Sequence, residues 1–274
     1  MVGHEVIRRP SVAGYFYPEE RSELARTIDA LVGSREQLGD ACAIIVPHGS
    51  YTYAGAVSGR VFARVRIPRR CILVGPSHTG CWLPWSVIAS GAYRTPLGDV
   101  LVDERCAGEL LCRCGFLTQD PTAQQGEHSI EVPLPFLQRL GPRDLTIVPI
   151  ICQSEELTEL DAMAKALAQV VRLQEEPVLL VVSADLSQYR AATRVRAQDA
   201  RLLEAITTLD AATVRRHVQD DGLSLCGVGA LVCVLKAASR LGASRAELLA
   251  YGTSADTGGD PHSTTGYAGL RIID

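Results

Sequence analysis

Short β-branched apolar runs recur along the chain, each closed by glycine, proline or serine, and longer stretches with apolar residues at helical spacing lie between them. The clearest runs are Ala43–Val46, Cys71–Val74, Leu145–Ile151 and Pro177–Val182, and runs of this kind read as buried strands. Helical spacing covers Glu19–Val32, Ala54–Val65, Asp103–Cys114, Leu157–Leu173, Arg196–Leu209, Ala211–His217 and Cys226–Leu241. Trp85–Ala89 reads as a strand and Tyr93–Asp99 as a turn-rich connection. His128–Leu137 reads as a helix with proline near its first turn. Leu248–Thr253 reads as a last central strand, and Tyr267–Ile273 as an edge strand or a return into the sheet. Residues 1–18 read as an irregular opening segment whose aromatics Tyr15, Phe16 and Tyr17 pack on something. The alternation predicts an α/β fold with a central, largely parallel β-sheet flanked by helices. No linker or repeat divides it, so one domain over residues 1–274 is expected.

Two of these runs frame a βαβ unit from Ala43 to Gly80, and each breaks into a turn that carries one histidine, His48 in Pro47-His48-Gly49 and His78 in Pro76-Ser77-His78. A βαβ unit carries both strands the same way, so both imidazoles fall at one sheet edge, where open α/β folds hold their ligands. The ends of two further strands add Asp185 and, in the turn with Thr257, Asp260 and His262, Asp256. Two imidazoles and a carboxylate have the composition of the facial triad that holds non-haem Fe(II) with open positions. Tyr51 and Tyr53 follow His48 closely enough to line the same crevice, and Glu127 and His128 are placed to give supporting hydrogen bonds or a proton relay. A turn histidine also serves simply to satisfy a carbonyl, and Asp185 after a strand can cap the next helix. Repetition in two matching turns is what raises the ligand reading. Neither a phosphate-binding glycine fingerprint nor a Gly-x-Ser-x-Gly elbow around Ser50 or Ser77 is present, which sets nucleotide binding and a serine hydrolase behind it.

Composition narrows the rest. The 274 residues are 47% hydrophobic, enough for a sizeable core, and the formal net charge of −4 is spread rather than blocked. That pattern offers no basic footprint for nucleic acid and no polybasic membrane patch. No apolar run approaches the roughly 18–20 residues of a membrane span, and Met1–Pro10 does not resemble a signal peptide, so a cytoplasmic protein is expected. Nine scattered cysteines fit buried thiols in a reducing compartment. Two lysines against twenty-five arginines, with no asparagine, fit a GC-rich bacterial source.

Eight blocks in order resemble the MEMO family nearly end to end. They include Ala13-Gly14-Tyr15-Phe16-Tyr17-Pro18, Val46-Pro47-His48, Gly75-Pro76-Ser77-His78, Glu127-His128-Ser129-Ile130-Glu131, Ser183-Ala184-Asp185 and Cys226-Gly227. The resemblance implies a fold similar to the LigB-type (class III) extradiol dioxygenases, which hold Fe(II) through two histidines and an acidic residue. The matching positions are His48 and His78, with the last ligand from the Ser254–Asp260 turn. Family members with a cysteine in that turn align it with Thr257, which leaves neighbouring Asp256 as the expected third ligand. Gln188 stands where some members have histidine, and an amide cannot shuttle a proton, so His128 takes that part beside Asp185. The expectation is a mononuclear Fe(II) or copper protein with redox or dioxygenase-like chemistry. His48, His78 and Asp256 are its ligands, His128, Asp185 and Gln188 its catalytic groups, and Phe16, Tyr51 and Tyr53 line its substrate pocket. The alternative is a metal-free module that takes a peptide or small anion in the same crevice. The resemblance also implies a pathway link to AMMECR-type and radical-SAM proteins.

Overall fold

The computed structural model describes residues 6–35, 38–80 and 83–274; Met1–Glu5 of the opening segment and Cys81 lie outside the described residues. The chain begins with β1 (Ile7–Arg8), α1 (Arg21–Val32), β2 (Ala43–Val46), α2 (Tyr51–Phe62) and β3 (Arg70–Pro76). It continues through β4 (Trp85–Val87), β5 (Ala92–Thr95), β6 (Gly98–Val102), α3 (Glu104–Arg113), β7 (Leu117–Gln119) and α4 (Leu134–Leu140). Then come β8 (Thr146–Cys152), α5 (Leu157–Arg172), β9 (Val178–Ser183), α6 (Ala192–Thr207), α7 (Ala211–Gln219) and α8 (Val228–Leu241). The chain closes with β10 (Arg245–Thr253) and β11 (Gly266–Ile273).

The strands form one mixed sheet in the order β1-β5-β6-β8-β3-β9-β2-β11-β10, with β4 on β8 and β7 on β4. The centre from β6 to β2 is parallel throughout. Of these, β8, β3, β9 and β2 are the most apolar in the sequence and are buried on both faces, as central parallel strands must be. Strand β9 lies between β2 and β3, paired to both. The βαβ unit that carries the two histidines is therefore opened by one strand, and the turn after that strand carries Asp185.

Helix α2 packs over β2, β10 and β11, while α8 packs over β2, β3, β8 and β9 and against α5 and α7. Helix α8 is buried over most of its length, which suits a helix apolar on nearly every side.

Several elements differ from the expectation. The helix expected over His128–Leu137 starts only at Leu134, because Pro133 and Pro135 fit only at a helix start, and His128 lies in the loop before it. Leu248–Thr253 belongs to an edge strand, β10, whose side chains are largely half-exposed, and β11 is the buried neighbour that pairs antiparallel with β2. Helix α2 lies so close to β11 that a Cβ on Gly269 would come within 2.4 Å of Val61. Tyr93–Asp99 is part of a β-hairpin, β5–β6, in which Pro96-Leu97 makes only the turn. Helix α2 starts three residues earlier than its periodicity suggests, and this turns Tyr51 into the core rather than the crevice. Its ring packs on Phe136 and Tyr17, and its hydroxyl donates to the Val132 carbonyl at 2.9 Å.

Candidate functional site

Strands β2, β3 and β9 run parallel and adjacent, so the turns after them release His48, His78 and Asp185 at one edge. The imidazole centroids of His48 and His78 are 5.0 Å apart. His128, from the loop before α4, completes the cluster at 4.3 Å from His78 and 5.6 Å from His48. Ser129 beside it donates its hydroxyl to the Pro76 carbonyl at 2.7 Å, docking this loop on the end of β3. Gly75 leaves room for that contact, since a Cβ there would lie 2.6 Å from the Ser129 hydroxyl.

His48 is 2% exposed and held from two sides. Its amide donates to Asp185 Oδ1 at 2.9 Å, and its Nδ1 lies 2.8 Å from the Ser183 hydroxyl. Its Nε2 has no hydrogen-bond partner among the described residues, although it is buried, and Asp185 Oδ2 lies 3.7 Å from it. An orphaned buried nitrogen is costly unless something occupies it. Burial, reinforced by the neighbouring His78, lowers the His48 imidazole to about 3; burial with His48 and His78 lowers His128 to about 4. Both rings are therefore neutral near pH 7, the state in which imidazole ligates a metal.

His78 is oriented by Glu127, whose Oε1 sits 2.9 Å from its Nδ1 and whose Oε2 accepts its backbone amide. The same carboxylate accepts the amides of His128 at 2.7 Å and Ser129 at 2.8 Å. Burial pushes the Glu127 carboxyl up, yet the hydrogen bonds from His78 outweigh it and hold the group at about 2. This fixes the ring of His78 so that Nε2 faces the cleft, 3.0 Å from Cys226 Sγ.

Cys226 is the residue the sequence reading missed as a donor. Its amide donates to the Asp185 carbonyl at 2.8 Å, and Gly227 follows in a left-handed conformation (φ +86°) that opens α8. A Cβ at Gly227 would lie 3.0 Å from the Ser183 carbonyl, so glycine is required there. The Cys-Gly pair was legible as a block, but its contact with β9 is tertiary. Burial, with the charges of Asp185 and Glu127, pushes the Cys226 thiol up to about 12.

His48, His78 and Cys226 each offer one donor, all within 4.8 Å of one another; His78, Glu127 and His128 form a second such trio. The first trio contains the orphaned nitrogen. In the second, the carboxylate is already engaged by three backbone amides and by the His78 ring. The arrangement therefore makes Glu127 an orienting group and leaves the first trio as the candidate donor set.

Asp256 is not brought to the histidines. Its Oδ2 accepts the Thr253 amide and hydroxyl at 2.8 and 3.0 Å, and its Oδ1 pairs with Arg196, because it closes the capping box of the turn after β10. Thr257 also turns inward on that turn, donating to the Ser254 carbonyl. Phe16, Tyr53, His48, His78, His128, Asp185 and Gln188 all line one open cleft of about 570 Å³, and Tyr51 does not. Phe16 meets the His128 ring edge-on at 5.0 Å.

Asp185 is buried, and burial raises its carboxyl to about 6 against the opposing hydrogen bond from the His48 amide. A carboxyl raised on folding favours the native state below its unfolded value near 3.8, and that advantage is lost as pH rises through about 6. In metal-free protein, Asp185→Asn should therefore gain about 3 kcal/mol over the parent at pH 8, and the gain should vanish below about pH 4. Urea unfolding at several pH values reads this directly, and a difference independent of pH would contradict it.

The family model described as "Memo-like protein" matches residues 8–271. A MEMO1 family protein of Aquifex aeolicus is 35% identical over 269 residues, spanning 97% of this chain and 99% of the relative. One from Methanopyrus kandleri is 33% identical over 278 residues, spanning 96% and 98%. Among solved structures, an uncharacterized protein from Escherichia coli K12 aligns with TM-score 0.49 and 15% identity, covering 85% of this chain and 99% of that one. With a matching model over nearly all of its length and relatives of this identity, the chain belongs to the MEMO family.

Proposed function

We propose that the protein holds one redox-active metal ion, copper or Fe(II), between His48, His78 and Cys226, and acts with it on a small molecule in the cleft. The observation that carries this reading is the buried, unpartnered Nε2 of His48 beside two other donors. Two imidazoles and a thiolate are softer than the two-histidine, one-carboxylate set expected from the sequence, and they weight the choice towards copper. Such an ion would supply electron transfer and a route to dioxygen chemistry.

The chain's own residues do the rest. Glu127 keeps His78 Nδ1 occupied and directs its Nε2 towards Cys226, and Ser183 occupies His48 Nδ1 and leaves its Nε2 without a partner among the described residues. His128, neutral at pH 7 and lining the cleft, offers a ring nitrogen for hydrogen bonding to a bound ligand, as Gln188 offers its amide; burial makes His128 too weak a base to hold a ligand's proton at that pH. Among the described residues no helix is long and apolar enough to cross a membrane, and the cytoplasm, which keeps thiols reduced, suits a Cys226 donor.

Because the Cys226 thiol is protonated at neutral pH, capturing the ion must release about one proton. Calorimetric titration with Cu(I) and with Fe(II), each under anaerobic conditions and in two buffers of different ionisation enthalpy, should show about one ion per chain and that proton. Absence of retained metal by elemental mass spectrometry would overturn the proposal and leave the cleft as a binding site alone.

A further inference from the structure

The rim of the cleft has a composition of its own. Among the described residues the exposed large apolar side chains are five aliphatic ones and three tyrosines, Tyr15 (86% exposed), Tyr189 (73%) and Tyr53 (38%). All three tyrosines line this cleft, and none of the five aliphatic residues does. Exposed rings scattered singly need no explanation, but convergence of all of them on one opening does. Among the described residues Tyr189 is also one of two non-glycine residues with positive φ (+55°), and the next residue, Arg190, pairs with Thr264. Backbone of that kind in a bulky residue carries strain, and strain of this kind collects at ligand sites.

Charge separates the possible ligands. The chain has twenty-seven Lys and Arg residues, yet none lines the cleft among the described residues. Asp185 and Asp260 do line it, together with Ser263 and Thr265. Asp260 accepts the His262 amide through Oδ1 at 2.8 Å and makes no ion pair among the described residues, whereas Arg196 pairs with Asp256. Aromatic faces beside a free carboxylate, without a guanidinium or ammonium, attract a cation and offer nothing to a phosphate or carboxylate.

We propose that the cleft binds a small organic cation, an amine whose ammonium group lies between the tyrosine faces and Asp260. The inference rests on the reading of this cleft as the substrate site, but not on the metal.

Three probes with the same ring, phenethylamine, 2-phenylethanol and 3-phenylpropionate, test it by calorimetry or NMR titration, on protein both metal-free and metal-loaded. The amine should bind about tenfold more tightly than either of the others. Asp260→Asn and Tyr189→Leu should each weaken the amine about fivefold and leave the alcohol unchanged. Equal binding of amine and alcohol, tighter binding of the carboxylate, no binding of the amine, or indifference of the amine to both substitutions overturns the proposal. If metal is retained but the amine is not preferred, this inference fails while the metal reading stands; an amine preference in protein that retains no metal gives the reverse.

Discussion

Replacing Cys226 with serine should cost metal retention more than the roughly 10–100-fold that loss of an outer-sphere partner typically costs, while Asp256→Ala should leave it unchanged. A serine hydroxyl is far harder to ionise than a thiol and is a poor ligand for a soft ion, so the donor set falls to two imidazoles. Asp256 is engaged with Thr253 and Arg196, away from the cluster, and its loss loosens only the turn after β10. His48→Ala should act like Cys226→Ser, because it removes the one buried donor without a partner. Glu127→Gln should fall between: its amide still receives hydrogen bonds, but it no longer fixes the His78 ring as an anion does. Elemental analysis of the four variants after anaerobic loading gives this ranking. Full retention in Cys226→Ser would remove the thiol from the centre, and loss in Asp256→Ala would return the carboxylate to it.

That comparison also marks what the sequence could reveal about the site. His48, His78 and Asp185 were legible because each follows a continuous apolar strand, and parallel strands deliver their carboxyl ends to one edge. Cys226 was not, since helical periodicity absorbs it into α8 and only its pairing with the Asp185 carbonyl brings it back to the sheet. Asp256 does follow a strand, but at the N3 position of a capping box its carboxylate is taken up by the amide and hydroxyl of Thr253 and by Arg196. Tyr51 and Tyr53 lie two apart and part company because α2 already begins at Tyr51, which turns one ring into the core and the other to the cleft. The order of the last two strands was illegible for a similar reason. Which of β10 and β11 is the edge is set by the pairing of β11 with β2, a contact between segments more than two hundred residues apart.

Arg8 is the residue whose substitution should cost the fold most, and nothing in the sequence distinguishes it from the arginine that follows. It is almost fully buried and pairs with equally buried Glu131. Its guanidinium also donates to the Gln124 carbonyl at 3.1 Å, to the Ser11 hydroxyl at 3.1 Å and to the Glu127 carbonyl, and it lies 5.1 Å from the Tyr93 ring centroid. Glu131 in turn accepts the Tyr17 hydroxyl at 2.6 Å and the amides of Ser11 and Val12 at 2.9 and 3.0 Å. The pair thus ties the opening segment, with Phe16, to the loop that presents Glu127 and His128. Arg8→Met leaves a buried carboxylate without its counter-charge, and breaking such a pair from one side costs about 3–5 kcal/mol. Burial pushes the Glu131 carboxyl up, and Arg8 with the hydrogen bonds holds it below its ordinary value, so the parent keeps this stability above about pH 4.5 and loses it in acid. Without Arg8 the burial effect dominates, and the deficit of the variant should be greatest at neutral pH and shrink as the carboxyl takes up a proton. Adding Glu131→Gln to Arg8→Met should recover a measurable part of the loss, because it removes the stranded charge. Urea denaturation of the parent, the single variant and the double variant at pH 7.5 and pH 4.5 measures all of this; a deficit under about 1 kcal/mol, or no rescue, would show that the pair does not hold the two segments together.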